Sequence, residues 1–236
     1  MATLASMPMI SISPSRLVEF GRAWGLNNHR LSRTPPYSSS ELGKLFDEAV
    51  AQALSQMLGG VPVVAPHANS LTPAQADCVE LGPVRVIGGV RPQNFDVGYR
   101  PDGVRIAFDS KTLNDSDSVG KNWQNMINDL ATEATTVHTR FPHTLVAFMV
   151  IIPSPCLSGA RLPAMVETLE RLGRRTVIDG PNHMAEAISL VLWDPEVGTI
   201  NPAIPARSSP LRIEQFSSQM EMAYVNRYKG LPPHTE

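Results

Sequence analysis

Apolar residues recur at helical spacing in several stretches of the chain, and the clearest stretch follows Ser38. Its apolar positions lie three or four residues apart and form one stripe, which ends at the glycine pair Gly59-Gly60. Ser38 and Glu41 have the spacing of a capping box, so the pattern predicts a helix from Ser38 to about Met57. Comparable stripes predict further helices over residues 14–26, 118–138, 162–172 and 211–228.

Two unbroken apolar runs, at residues 144–152 and 187–193, predict buried strands. Ahead of them, residues 94–111 alternate between apolar and polar positions around Arg100-Pro101-Asp102-Gly103. Pro in second place and Gly in fourth favour a type I turn, so this segment predicts a hairpin with a four-residue loop. Together the elements predict an α/β fold with a central mixed β-sheet flanked by helices.

The hairpin gathers charged groups on one of its faces. With a four-residue loop, Tyr99 pairs with Val104 and Phe95 with Phe108, and the apolar side chains of both strands share one face. Asp96, Asp109 and Lys111 share the opposite face.

Asp102 lies at the tip of this turn, and we interpret it as a turn-forming residue. At roughly 3.3 Å per residue its carboxylate would be about 20 Å from that of Asp109, too far to share an ion.

The chain of 236 residues is interpreted as a single domain, with residues 1–37 as an N-terminal arm or extension and 38–193 as the core. Residues 194–210 form a loop rich in Pro and Ser that is longer than a simple connector.

Composition narrows the classes of protein to consider. A net charge of −2 disfavours a protein that coats nucleic acid nonspecifically, although Arg16, Arg22, Arg30 and Arg33 do cluster near the N-terminus. No apolar run approaches the ~20 residues of a membrane span, so no membrane association is expected. The two cysteines are far apart and match no zinc spacing, which favours a cytoplasmic location.

Two carboxylates within reach of one ion offer the hard oxygen ligands that Mg²⁺ prefers. A cation held there can polarise a phosphodiester. A nearby lysine can orient or deprotonate the attacking water, or stabilise the transition state. The spacing of Asp96, Asp109, Ser110 and Lys111 resembles the signature of the PD-(D/E)xK nuclease superfamily, which includes most type II restriction endonucleases. The proline that the family places before its first aspartate is replaced here by Phe95.

This resemblance implies a restriction-endonuclease-like core and a Mg²⁺-dependent endodeoxyribonuclease, in which Mn²⁺ can substitute. Asp96, Asp109 and the carbonyl of Ser110 would bind the metal, and Lys111 would position the water. The resemblance also implies a homodimer that cleaves double-stranded DNA at a specific site, with a cognate DNA methyltransferase encoded nearby.

Members of the superfamily often add an acid from the first core helix, within a Gly-x-x-Phe-acid pattern. The segment from Gly43 to Asp47 resembles that pattern, which makes Asp47 the first choice and Glu48 the second. Asp47 borders the apolar stripe, whereas Glu41 and Glu48 lie well away from it. Lys121 and Gln124, on the helix after Lys111, are candidate accessory residues.

Two alternatives remain open on the sequence alone. The chain could be a repair, mobile-element or junction nuclease of the same superfamily. It could also be a non-catalytic α/β domain that binds nucleic acid or protein, with Asp96 and Asp109 as surface charges.

Overall fold

The computed structural model describes residues 3–157 and 159–234. Within these residues, six strands form one mixed sheet whose spatial order follows the chain. β1 and β2 are parallel, β2, β3 and β4 are antiparallel neighbours, and β4, β5 and β6 are parallel. The strands are β1 (Val63–Val64), β2 (Val79–Ile87), β3 (Pro92–Tyr99), β4 (Ile106–Thr112), β5 (Leu145–Pro153) and β6 (Ala187–Trp193).

Five α-helices accompany the sheet in the described part of the chain: α1 (Pro14–Leu26), α2 (Ser39–Met57), α3 (Val119–His138), α4 (Arg161–Leu172) and α5 (Ile213–Tyr228). α3 connects β4 to β5 and α4 connects β5 to β6, as parallel neighbours require. β5 and β6 are buried along their whole length because helices cover both faces of the sheet. The predicted α/β class, with a mixed sheet flanked by helices, is confirmed.

The two faces of β4 meet different helices. On one face the ring of Phe108 packs edge-on against that of Phe216 from α5, with the ring centroids 6.0 Å apart. On the same face Ser110 lies against Gly43 of α2. On the other face Lys111 reaches Glu133 of α3. The end of β4 therefore lies between two helical layers, and side chains from both can approach it.

The predicted positions of the helices and of the two buried strands agree with the structure to within two residues at each end. At the start of α2, Ser38 Oγ accepts a hydrogen bond from the Glu41 amide at 3.2 Å, which is one half of the predicted capping box. The Glu41 carboxylate binds Lys44 at 2.6 Å rather than turning back to the cap. Residues before α2 also join the main hydrophobic core, to which α1 contributes Leu17, Phe20 and Trp24.

The register predicted for the hairpin is wrong by two residues. Tyr99 pairs with Ile106 and Val97 with Phe108, so residues 100–105 form a six-residue loop in place of the predicted four. A shift of two preserves which face each side chain occupies, because side chains alternate along a strand. It also moves Asp96 from a diagonal position to a place directly opposite Asp109.

Two buried arginines account for the longer loop. Arg100 is 3% exposed and binds Glu80 through two nitrogens, at 2.6 and 2.8 Å. Arg105 is equally buried and pairs with Asp102, whose carboxylate therefore holds the loop, in line with the interpretation of Asp102 as a turn former. With both guanidinium groups drawn inward, Val104 lies in the loop instead of pairing with Tyr99.

No helix in the described ranges is both long enough and apolar enough to cross a membrane.

Replacing Arg100 by Met should lower the free energy of unfolding by about 3–5 kcal/mol, because Glu80 is left charged, fully buried and unpaired. Urea unfolding followed by circular dichroism measures this change. Arg91→Met, at an exposed position, is the matched control and should change stability by less than about 0.5 kcal/mol. Equal midpoints for the two variants would contradict this account of the loop.

Candidate active site

Two carboxylates meet at the point where β3 and β4 part. The described pairing of these strands ends at Val97 and Phe108, so Asp96 and Asp109 are the next residues on each strand and lie opposite each other. Burial, together with a hydrogen bond to Asp96, raises the pKa of the Asp109 carboxyl well above its ordinary value. The two acids thus occupy opposing positions, close enough for Asp96 to influence the pKa of Asp109, as a shared cation would require.

Asp96 is held in place by the next residue of the opposite strand. Its Oδ2 accepts hydrogen bonds from the Ser110 amide at 3.0 Å and from the Ser110 hydroxyl at 3.3 Å. Asp96 thus satisfies a backbone amide where the ladder between the strands ends. The predicted role of the Ser110 carbonyl as a metal ligand stays a prediction.

Lys111 lies between two acids. Its Nζ donates a hydrogen bond to Asp109 Oδ2 and another, 2.8 Å long, to Glu133 Oε1. Burial alone would lower the pKa of Lys111, but the two carboxylates outweigh it and raise that pKa above its ordinary value. The side chain is 25% exposed, so the ammonium group remains within reach of a bound molecule.

Glu133 is a residue of the cluster that the sequence reasoning missed. It is 7% exposed and lies beside Leu130 and Ala134 on the buried side of α3. Its Oε2 is buried and has no hydrogen-bond partner within residues 3–157 and 159–234. The sequence did hold one sign of its role, because Glu133 lies on the apolar stripe of a predicted helix. Burying a carboxylate there costs free energy unless the acid is paired.

Asp47 approaches the cluster from α2. Gly43, one turn earlier, allows the helix to lie close to β4, since a Cβ at that position would be 3.0 Å from Ser110 Oγ. Burial, then the charge of Asp96, raises the pKa of Asp47 to about 8, although a hydrogen bond with the Ser110 side chain opposes the shift. The Oδ1 atom of Asp47 is buried and has no hydrogen-bond partner among the described residues.

The other two acids of α2 have different surroundings. Glu41 pairs with Lys44 at the surface. Glu48 is exposed and lines a separate cavity beside Ile12 and Val63. The structure thus brings Asp47 into contact with Ser110 and gives neither alternative acid such a contact.

Near Lys111, α3 presents other side chains than the predicted accessory residues Lys121 and Gln124. A cavity of about 430 Å³ lies beside Lys111 and is lined on the α3 side by Asn122, Asn125 and Asp129. Lys121 and Gln124 are exposed, and neither belongs to the lining of this cavity. These two stay predictions without a contact at the cluster.

The donor set suits a hard divalent cation. No group of three or more His, Cys, Asp or Glu side chains among residues 3–157 and 159–234 is arranged to hold a metal ion. Mg²⁺ is usually bound through one or two carboxylates, with waters and phosphate oxygens as its remaining ligands. Asp96 and Asp109 meet that requirement, and the unpartnered oxygen of Asp47 adds a buried acceptor nearby.

Comparisons with known proteins add no relative: no protein-family model, no curated protein and no solved structure matches the chain.

Asp47→Asn should stabilise the metal-free protein increasingly as pH rises from about 4 to 8. In the folded wild type Asp47 keeps its proton up to about pH 8, whereas in the unfolded chain it ionises near 3.8. The wild type therefore loses stability across this window, and the advantage of Asn should grow by up to about 1.4 kcal/mol per pH unit. Thermal unfolding in EDTA at several pH values measures it.

Glu48→Asn is the control, because this acid is exposed and should give a difference nearly independent of pH. If the stability gained by Asp47→Asn over the wild type stays constant, or shrinks as pH rises, the result would contradict the buried location of Asp47.

Proposed function

We propose that this chain is a metal-dependent endodeoxyribonuclease that hydrolyses phosphodiester bonds of double-stranded DNA. The observation that supports it best is the placement of Asp96 opposite Asp109, with Lys111 bound to Asp109 on the same face of β4. The residues are those whose spacing resembles the PD-(D/E)xK signature.

Asp96 and Asp109 would hold Mg²⁺, or Mn²⁺ in its place. When bound, such an ion polarises the phosphodiester, lowers the pKa of bound water and stabilises the departing oxygen. The contact between the two acids is unfavourable without a cation, because two carboxylates so close cannot both ionise freely. A site prepared in this way favours binding of a divalent ion.

Lys111 acts as a hydrogen-bond donor rather than as a base. Two carboxylates hold it as an ammonium group, so it carries no free lone pair with which to accept a proton. It would orient the attacking water and donate to the negatively charged phosphate oxygens of the transition state. The water oxygen forms the new bond to phosphorus and passes its proton to solvent. The bond to the leaving oxygen breaks, and that oxygen takes up a proton from solvent to become a hydroxyl group.

Substrate can reach this cluster through the cavity beside Lys111. The amides of Asn122 and Asn125 line it, and such side chains can contact either phosphate oxygens or base edges. Among the kinds of nuclease in the superfamily that the chain resembles, we favour a type II restriction endonuclease. Cleavage of both strands at a palindromic site would then require a homodimer, and a methyltransferase encoded nearby would protect the host DNA.

Asp109→Asn and Lys111→Ala should each lower cleavage of plasmid DNA in Mg²⁺ by more than about a hundredfold, while binding of DNA persists. The first variant removes a metal ligand and the second removes the donor to the transition state. Cleavage is followed by gel electrophoresis and binding by fluorescence anisotropy. Asp179→Asn, at an exposed acid outside the cluster, is the matched control and should cleave at nearly the rate of the wild type.

The pattern of products distinguishes the possible kinds of nuclease. Discrete linear fragments would support restriction, whereas nicking confined to junctions or flaps would support a repair or junction nuclease. If Asp109→Asn cleaves DNA as fast as the wild type, the nuclease proposal is rejected. If the wild type is inactive and binds no Mg²⁺ or Mn²⁺ by calorimetry, the non-catalytic alternative is favoured.

Glu133→Gln should lower kcat by about 10- to 100-fold with little change in KM, because Lys111 loses one of the two charges that hold it in place. Single-turnover cleavage at saturating Mg²⁺ provides the rate. Glu167→Gln, at an exposed acid of α4 that does not line the cavity, is the control. An effect confined to KM, or equal in both variants, would show that Glu133 does not position Lys111.

A further inference from the structure

A second cleft opens on the α2 side of β4, next to the carboxylate cluster. It has a volume of about 770 Å³ and lies between the loop that follows α1, the start of α2 and the segment that follows β4. Its charged and polar lining includes Arg30, Arg33, Ser38, Ser39, Asn114 and Asp115.

The two arginines of this cleft are free to bind a ligand. Both are exposed, and neither guanidinium group forms an ion pair or a hydrogen bond with any residue in the part of the chain that the structure describes. The acid in the lining, Asp115, is engaged by the Asp117 amide, which donates to its Oδ1 at 3.0 Å. With two arginines against the single acid Asp115, the lining of the cleft carries a net positive charge, although the overall charge of the chain is −2.

The loop that carries the arginines is fixed by one buried side chain. Asn114 is 9% exposed; its Oδ1 accepts a hydrogen bond from the Leu31 amide at 3.1 Å, and its Nδ2 donates to Ser39 Oγ at 2.6 Å. One amide thus joins the arginine loop, the start of α2 and the end of β4. The backbone between the two arginines is thus attached to the segment that follows β4, two residues after that strand ends.

The cleft is linked to the candidate active site by a side-chain contact and by helix α2. Ser39 contacts Thr112, the residue after Lys111, and α2 runs from this contact past Gly43 to Asp47. Nine residues separate Ser38 from Asp47, about 14 Å at 1.5 Å per residue, so a polynucleotide crossing the site would pass the cleft within a few nucleotides.

We infer that this cleft binds a backbone phosphate of the DNA strand beside the scissile bond, with Arg30 and Arg33 as its ligands; the inference rests on the proposed function. Guanidinium groups suit phosphate because their parallel N–H donors match its oxygens. The partial positive charge at the start of α2 adds to the attraction. Contacts of this kind hold DNA in register and carry no sequence information.

The test measures binding of a fluorescent DNA duplex by anisotropy in EDTA, where no cleavage occurs. Arg30→Gln and Arg33→Gln should each weaken binding by about five- to tenfold, equally for unrelated sequences, and each should reduce the slope of log affinity against log salt by about one. Arg33→Lys should keep most of the slope. Arg207→Gln, at an exposed arginine outside the cleft, is the matched control.

Equal losses in Arg207→Gln and the cleft variants would overturn the inference, as would unchanged binding in the cleft variants or no binding by the wild type. Because the measurement needs neither metal nor turnover, its outcome is separate from that of the nuclease assay. DNA binding that depends on both arginines, found in a protein that never cleaves, would support the cleft and reject the catalytic proposal.

Discussion

The candidate site depends on two carboxylates that are held in contact where two antiparallel strands part. Asp96 and Asp109 face each other one position beyond the last pair of β3 and β4, and the Ser110 amide and hydroxyl fix Asp96 there. Such a contact is unfavourable for two ionised acids and is relieved by a proton or by a cation. Burial of Asp109, together with this arrangement, raises the pKa of its carboxyl group well above the ordinary value.

The rest of the fold brings further ionisable groups to this contact from both sides of the sheet. α3 supplies Glu133, which with Asp109 holds Lys111 as an ammonium group, so a positive charge lies beside the acids. α2 supplies Asp47, and Gly43 makes that approach sterically possible. Because β5 and β6 are covered on both faces, the end of β4 is a rigid place on which to assemble charged groups.

Much of this arrangement could be predicted from the sequence, because the strands and helices have strong periodicity. Alternation placed Asp96, Asp109 and Lys111 on one face, and the register error of two residues left that result intact. The loop length could not be predicted, since it depends on Arg100 reaching Glu80, twenty residues earlier in the chain. The partnership of Lys111 with Glu133 is likewise a tertiary contact, and local pattern reveals only that an acid lies on an apolar stripe.

The position of a bound cation tests the central claim most directly. A crystal structure of the protein grown with Mn²⁺ should show one anomalous peak between Asp96 and Asp109, about 2.1 Å from an oxygen of each, the distance typical of Mg²⁺ sites. Lys111 should then still contact Glu133. The account would be contradicted if, at saturating Mn²⁺, this position stayed empty and Asp109 remained bound to Lys111. A peak found only at some other group would also contradict it.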